Sequence, residues 1–177
     1  YKDGAGGHAS KPGKGTVLGD VARAMAAVEA HPMPYRLTPL VKAHLKALAE
    51  SVADKKAAKL YAHPKKHWDE LVKLAKKDRE LDAKLHTTFA VTMAEASAQA
   101  NVLPSHAEAT MSVRILQGDT VESVKHYLES IMPCDVEVKA TFAEDPKPAG
   151  SVESEAYHLM SETIYDIFGK DTLIVPN

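Results

Sequence analysis

Between Thr87 and Leu116 the chain adopts a period of two. Phe89, Val91 and Met93 alternate with Thr88, Ala90 and Thr92, and Ala109, Met111, Val113 and Ile115 alternate with Thr110, Ser112 and Arg114. That period is the signature of half-buried strands and fits no helix. Such strands need an apolar cover on one face, and Arg114 shares the other, polar face. The connection between them, residues 95–106, ends in Asn101-Val102-Leu103-Pro104-Ser105-His106.

The cover has to come from helices, and the sequence supplies them on both sides. Val17, Leu18, Val21, Met25 and Val28 recur at helical spacing before His31-Pro32-Met33-Pro34 stops the run. After Gly118, Asp119 followed by Glu122 resembles a capping box, opening a helix with Val121, Val124, Leu128 and Ile131 on one side until Pro133. Val136, Val138, Ala140 and Phe142 then alternate with polar residues as a further strand, ahead of the linker Asp145-Pro146-Lys147-Pro148. With a strand end at the start of the chain, the order is strand, helix, helical insertion, strand, strand, helix, strand. This is an α+β fold, a ferredoxin-like split βαββαβ antiparallel sheet with helices on one face.

Two segments lie outside that pattern. Residues 36–86 are rich in Lys, Ala and Leu, with Thr38-Pro39 an N-cap and N1 pair and breaks near Asp54 and His63-Pro64, so three or four short helices form an insertion. Residues 146–177 read as a linker, an amphipathic helix over 153–168 and, after Gly169, a strand at Leu173-Ile174-Val175. This is a helix-then-strand step whose continuation would be an α/β domain. The domain division is therefore 1–145 with the helical insertion, then 146–177. The chain opens on Tyr1 without an initiator Met and stops directly after an apolar run, so it is expected to be part of something longer.

Composition narrows the function. Twenty-two Lys and Arg against twenty-four Asp and Glu give a net charge of -2, which argues against a general nucleic-acid surface. No stretch approaches the roughly 20 apolar residues that span a bilayer. The single cysteine, Cys134, permits neither an intramolecular disulfide nor a Cys-based zinc site, and points to a cytoplasmic setting.

His63 and His67 are four apart, as zinc ligands on one helical face can be, but Pro64, Lys65 and Lys66 beside them indicate a solvated helix start. No His-x-Asp strand end, Glu-Glu pair or His-Glu-x-x-His occurs, so no metal site is expected in this chain. Ser10 lacks an elbow motif that would make it a nucleophile and reads as part of a loop approaching the first helix. His8 follows Gly6-Gly7, where the backbone can turn sharply and project an imidazole from a strand end. Arg114 either pairs with a neighbouring carboxylate or waits for an external one. Asn101 either caps a turn or orients a ligand carboxylate or carbonyl.

In order, Gly-Gly-His-Ala-Ser-Lys-Pro at 6–12, a helix, and the run from Thr87 to Thr120 resemble the dimerisation (lid) domain of the zinc-dependent exopeptidases and aminoacylases. The segment 35–50 falls where the Gly-Xaa carboxypeptidase branch inserts helices, and 143–168 resembles its return to the catalytic domain. Gln117 stands where the family often has Pro, and Ala96 where it often has Gly. The resemblance implies a homodimer formed through the lid and a parent enzyme holding two zinc ions outside this chain. That enzyme would use a metal-bound water to cleave an amide next to a free carboxylate, in a peptide or an N-acyl amino acid. It also implies that His8 reaches into the partner's active site to polarise the scissile carbonyl, and that Asn101 and Arg114 bind the substrate carboxylate. The alternative is a non-enzymatic ferredoxin-like dimerisation or ligand-sensing module.

Overall fold

The structure is a computed structural model that describes residues 1–133 and 135–176; Cys134 and Asn177 lie outside the described residues. In chain order the elements are β1 (Lys2–Asp3), β2 (Gly7–His8), α1 (Val17–Ala30), α2 (Pro39–Leu48), α3 (Lys55–Ala62), α4 (Trp68–Ala75), α5 (Arg79–Leu85), β3 (Thr88–Glu95), β4 (Val102–Leu103), β5 (His106–Arg114), α6 (Val121–Ile131) and α7 (Glu155–Phe168). The chain divides into two compact units, one of Tyr1–Pro34 with Thr87–Pro146, the other of Tyr35–His86 with Lys147–Asn177.

The first unit is built on an antiparallel sheet of order β1-β5-β3. β3 and β5 pair from Thr88↔Arg114 to Glu95↔Glu108. Along β5 burial alternates strictly, with Ala107, Ala109, Met111 and Val113 covered and His106, Glu108, Thr110, Ser112 and Arg114 exposed. The cover is α1 and α6. Val17 and Val21 pack over Ala107, while Val28, Val124 and Leu128 pack with Phe89, Met111 and Val113. Each of the buried valines and leucines among them contributes about 1.5–3 kcal/mol relative to an exposed one. Tyr1 and Glu137 exchange both backbone hydrogen bonds, at 2.8 and 2.9 Å. That is the pattern of one hydrogen-bonded antiparallel pair, and it places the chain at Glu137 beside the start of β1. The lateral order 137, β1, β5, β3 is ferredoxin-like, as the sequence implies.

Three expectations change in this unit. The alternation in β3 breaks at Thr92, where a β-bulge shifts the register between Val91 and Met93. The extra residue turns Met93 outward, 55% exposed, and brings Ala94, itself exposed, opposite Ala109. The cap of α6 is Thr120, not Asp119, and the capping box is completed by Ser123 rather than Glu122. Asp119 is engaged elsewhere, its carboxylate accepting a 2.6 Å bond from the buried Thr87 hydroxyl. Finally, 136–142 forms no regular strand, and Phe142 is 95% exposed. Among the described residues the segment's backbone pairing is that of Tyr1 with Glu137.

In the second unit α2 and α3 start where the sequence marks them, at Thr38 and Asp54, and α5 starts at Asp78, a cap not singled out from the sequence. Thr38, Asp54 and Asp78 cap α2, α3 and α5 through side-chain bonds to backbone N–H groups. Their apolar faces meet in a core of Val41, Leu45, Leu60, Leu71, Ala75, Leu81 and Leu85. α7, capped by Ser154 and ended by Gly169 at φ 93°, has no buried residue and leaves Leu159, Met160, Ile167 and Phe168 exposed. Leu173-Ile174-Val175 is not a strand: no described residue of this unit forms one, so there is no ladder for it to join.

Candidate functional site

His8 is held by a two-residue ladder. β2 pairs antiparallel with β4, Gly7 opposite Leu103 and His8 opposite Val102, and the Ala9 N–H donates to the Asn101 carbonyl at 2.9 Å. The glycine ahead of it is there for closeness rather than for a turn. Gly6 has no positive φ, but a Cβ on it would lie 3.0 Å from the Leu103 carbonyl oxygen and 3.3 Å from Ser105. A side chain here would push the two backbones apart by a few tenths of an ångström. At His8 the chain then folds into a turn closed by the Lys11 N–H donating to the His8 carbonyl at 3.0 Å.

His8, Ser10 and Asn101 are all exposed at this end of the sheet. The Asn101 side chain has no hydrogen-bond partner among the described residues, so both its amide donors and its carbonyl are open to a ligand. Between the His8 loop and the 96–104 connection lies an open hollow of about 390 Å³, lined by Ala9 and Leu18 on one side and Ala96, Ala98, Ala100 and Val102 on the other. Leu18, which follows helical spacing in the sequence, is 42% exposed because it faces this hollow rather than the core.

Ser10 belongs to this cluster too. Its backbone N–H donates to His8 Nδ1 at 3.2 Å, and its hydroxyl oxygen lies 2.8 Å from the same nitrogen. Sequence reasoning passed over Ser10 by testing it only as a nucleophile. The signal that could have found it is its position two residues after a histidine in a turn, where a hydroxyl and an amide reach back locally.

Arg114 is not in the cluster. It closes β5 at the end opposite His106, and eight residues at about 3.3 Å each put it roughly 26 Å along the strand. Asp3 pairs with His106, Gly4 with Ser105 and His8 with Val102, so His8 and Asn101 lie beyond that far end. Arg114 is exposed on the polar face and makes no ion pair among the described residues, which leaves its guanidinium available to an external anion.

Beside the His8 ladder, His106 is bracketed by carboxylates, with Nδ1 2.7 Å from Asp3 and Nε2 3.5 Å from Glu108. The bond to Asp3, then that to Glu108, raises its pKa above the ordinary histidine value. Because Asp3 is in β1, this pair ties the segment leading to His8 onto β5.

No group of three or more His, Cys, Asp or Glu side chains among the described residues could hold a metal ion. His63 and His67 are the C-cap of α3 and the N-cap of α4, His67 lying 3.6 Å from Glu70. No helix among the described residues is long and apolar enough to cross a membrane.

Residues 3–133 match the family profile of the peptidase dimerisation domain, M20 type. Among individual proteins, the N-fatty-acyl-amino acid synthase/hydrolase PM20D1.1 of Danio rerio is 30% identical over 94% of this chain and 33% of its own length. Its Bos taurus counterpart is 28% identical over 96% of this chain and 34% of its own length. The probable carboxypeptidase S-like 1 of Dictyostelium discoideum is 34% identical over 50% of this chain and 19% of its own length. The chain thus spans about a third or less of these relatives. No solved structure matches it.

Proposed function

This chain belongs to the M20 peptidase dimerisation-domain family, and on that premise we propose that it is the lid of a longer hydrolase, contributing substrate contacts to an active site whose metal-binding part lies elsewhere in that protein. The reaction is cleavage of an amide next to a free carboxylate. The relatives' names favour an N-acyl amino acid or the C-terminal residue of a peptide as substrate. The two zinc ions expected from the resemblance belong to the rest of the protein.

The observation that carries this reading is that the β2–β4 ladder sets His8 beside Asn101, both exposed, next to a hollow whose lining includes Ala9, Ala100 and Val102. A histidine N–H and an amide side chain are the donors that can stabilise an oxyanion and orient a carboxylate. Arg114 supplies a planar guanidinium suited to the same carboxylate, but from roughly 26 Å or more away along its own copy of the strand. An amino-acid-sized substrate cannot touch both ends of one lid. His8 and Arg114 can meet on one substrate only if they come from different copies, which is what a two-fold homodimer provides. The exposed apolar face of α7 is the kind of surface that marks a further contact.

A sensing module would need neither His8 nor catalysis. In the longer protein, His8→Ala should lower the turnover of amide hydrolysis by about 10²–10³-fold, the usual loss when one oxyanion donor is removed. Unchanged turnover would remove His8 from the reaction.

A further inference from the structure

His8 can serve as a donor only if its proton sits on the nitrogen that faces the ligand. In a neutral imidazole one ring nitrogen carries hydrogen and the other carries a lone pair, and the partner of the second nitrogen decides which is which. A backbone N–H cannot accept, so the 3.2 Å contact from the Ser10 amide requires a lone pair at Nδ1. The Ser10 hydroxyl, 2.8 Å from the same atom, then points its hydrogen at that lone pair as well. Nε2 has no partner among the described residues and is left with the hydrogen.

From this we infer that Ser10 is a positioning residue, whose amide and hydroxyl hold neutral His8 in the Nε2–H tautomer and keep that N–H directed away from the loop. The turn makes the arrangement possible. The Lys11 N–H bonded to the His8 carbonyl folds residues 8–11 back on themselves, bringing the Ser10 amide to the Nδ1 edge of the ring. The ring plane is thereby fixed relative to β2, and β2 is fixed by its ladder to β4. The catalytic consequence rests on the proposed role of His8: the carbonyl oxygen of the scissile amide would meet a preformed donor, with no tautomer change needed as negative charge develops. The tautomer assignment itself is independent of that role.

The test is nitrogen-15 NMR of the His8 ring in this 177-residue chain, in the pH range where the ring is neutral. The expected result is an unprotonated, hydrogen-bonded Nδ1 and a protonated Nε2. Ser10→Ala keeps the amide but removes the hydroxyl, and should lower the ratio of Nε2–H to Nδ1–H forms about two- to tenfold, the weight of one neutral hydrogen bond. Ser10→Thr keeps both donors and should restore the ratio. In the longer protein, Ser10→Ala should lower kcat with KM little changed, and Ser10→Thr should recover it. A wild-type ring protonated at Nδ1, or a ratio that Ser10→Ala leaves unmoved, overturns the inference. If the NMR results hold while both His8→Ala and Ser10→Ala leave turnover intact, the tautomer lock stands and the proposed role of His8 is what fails.

Discussion

Thr87 is fully buried and polar, and its hydroxyl joins three parts of the first unit. It donates to the Asp119 carboxylate at 2.6 Å and accepts from the Leu116 N–H at 2.9 Å. The turn at Gln117–Asp119, where Gly118 takes φ 93°, is thereby tied to the start of β3, and α6 begins directly after it. Thr87→Val keeps the volume and opens no cavity, but replaces the hydroxyl with a methyl group that can neither donate nor accept. A hydrogen bond to a charged group is worth about 1.5–3 kcal/mol and a neutral one about 0.5–1.5 kcal/mol, so the expected loss is about 2–4 kcal/mol. Urea unfolding followed by circular dichroism should show a lower midpoint with an unchanged slope. Thr87→Ser, which retains the hydroxyl, should lose less. A double-mutant cycle with Asp119→Ala should give a coupling of about 0.5–3 kcal/mol. A Thr87→Val loss under about 0.5 kcal/mol, or additive single losses, would refute the argument that this pair holds the turn.

Two further outcomes follow from the same structure. The raised pKa of His106 means the folded state binds its proton more tightly than the unfolded chain. The stabilisation from its pairing with Asp3 and Glu108 is therefore complete below the unfolded value of 6.5 and is lost as pH rises through the folded value. An NMR titration of His106 should give a midpoint above 6.5, brought down by Asp3→Asn; a midpoint at or below 6.5 contradicts the bracketing. In the second unit, Leu71 is 0% exposed within the helical core, so Leu71→Ala should cost about 2–5 kcal/mol by chemical denaturation. A loss under about 1 kcal/mol would mean the core is not packed as described.

Much of the fold was legible because its signals are local. The alternation of β5, the Thr38-Pro39 start of α2 and the Asp54 break are set by residues within a turn or two of where they act. The misread features depend on distant partners. Asp119 has the look of a cap, but Thr87, thirty-two positions earlier, claims its carboxylate, and Thr120 takes over the helix start. The bulge at Thr92 interrupts an unbroken alternating pattern, and only the register against β5 reveals it. The 136–142 pattern is a strand pattern, yet its backbone pairing among the described residues is the single Tyr1–Glu137 pair. At the site, the spacing of His8 and Asn101 says nothing of their adjacency, which the β2–β4 ladder produces. The separation of Arg114 from them follows from strand length, once β5 is known to be continuous.

The central claim is that one lid's His8 and the other lid's Arg114 act on the same substrate. The most direct measurement mixes His8→Ala and Arg114→Ala forms of the longer protein, each inactive alone, under conditions that let subunits exchange. Trans contribution restores one working site in every mixed dimer, so an equal mixture should recover about one quarter of wild-type activity. If the two residues served the same copy's site, every mixed dimer would have one defect in each site. Activity that stays at the level of the single variants, despite demonstrated exchange, would contradict the account.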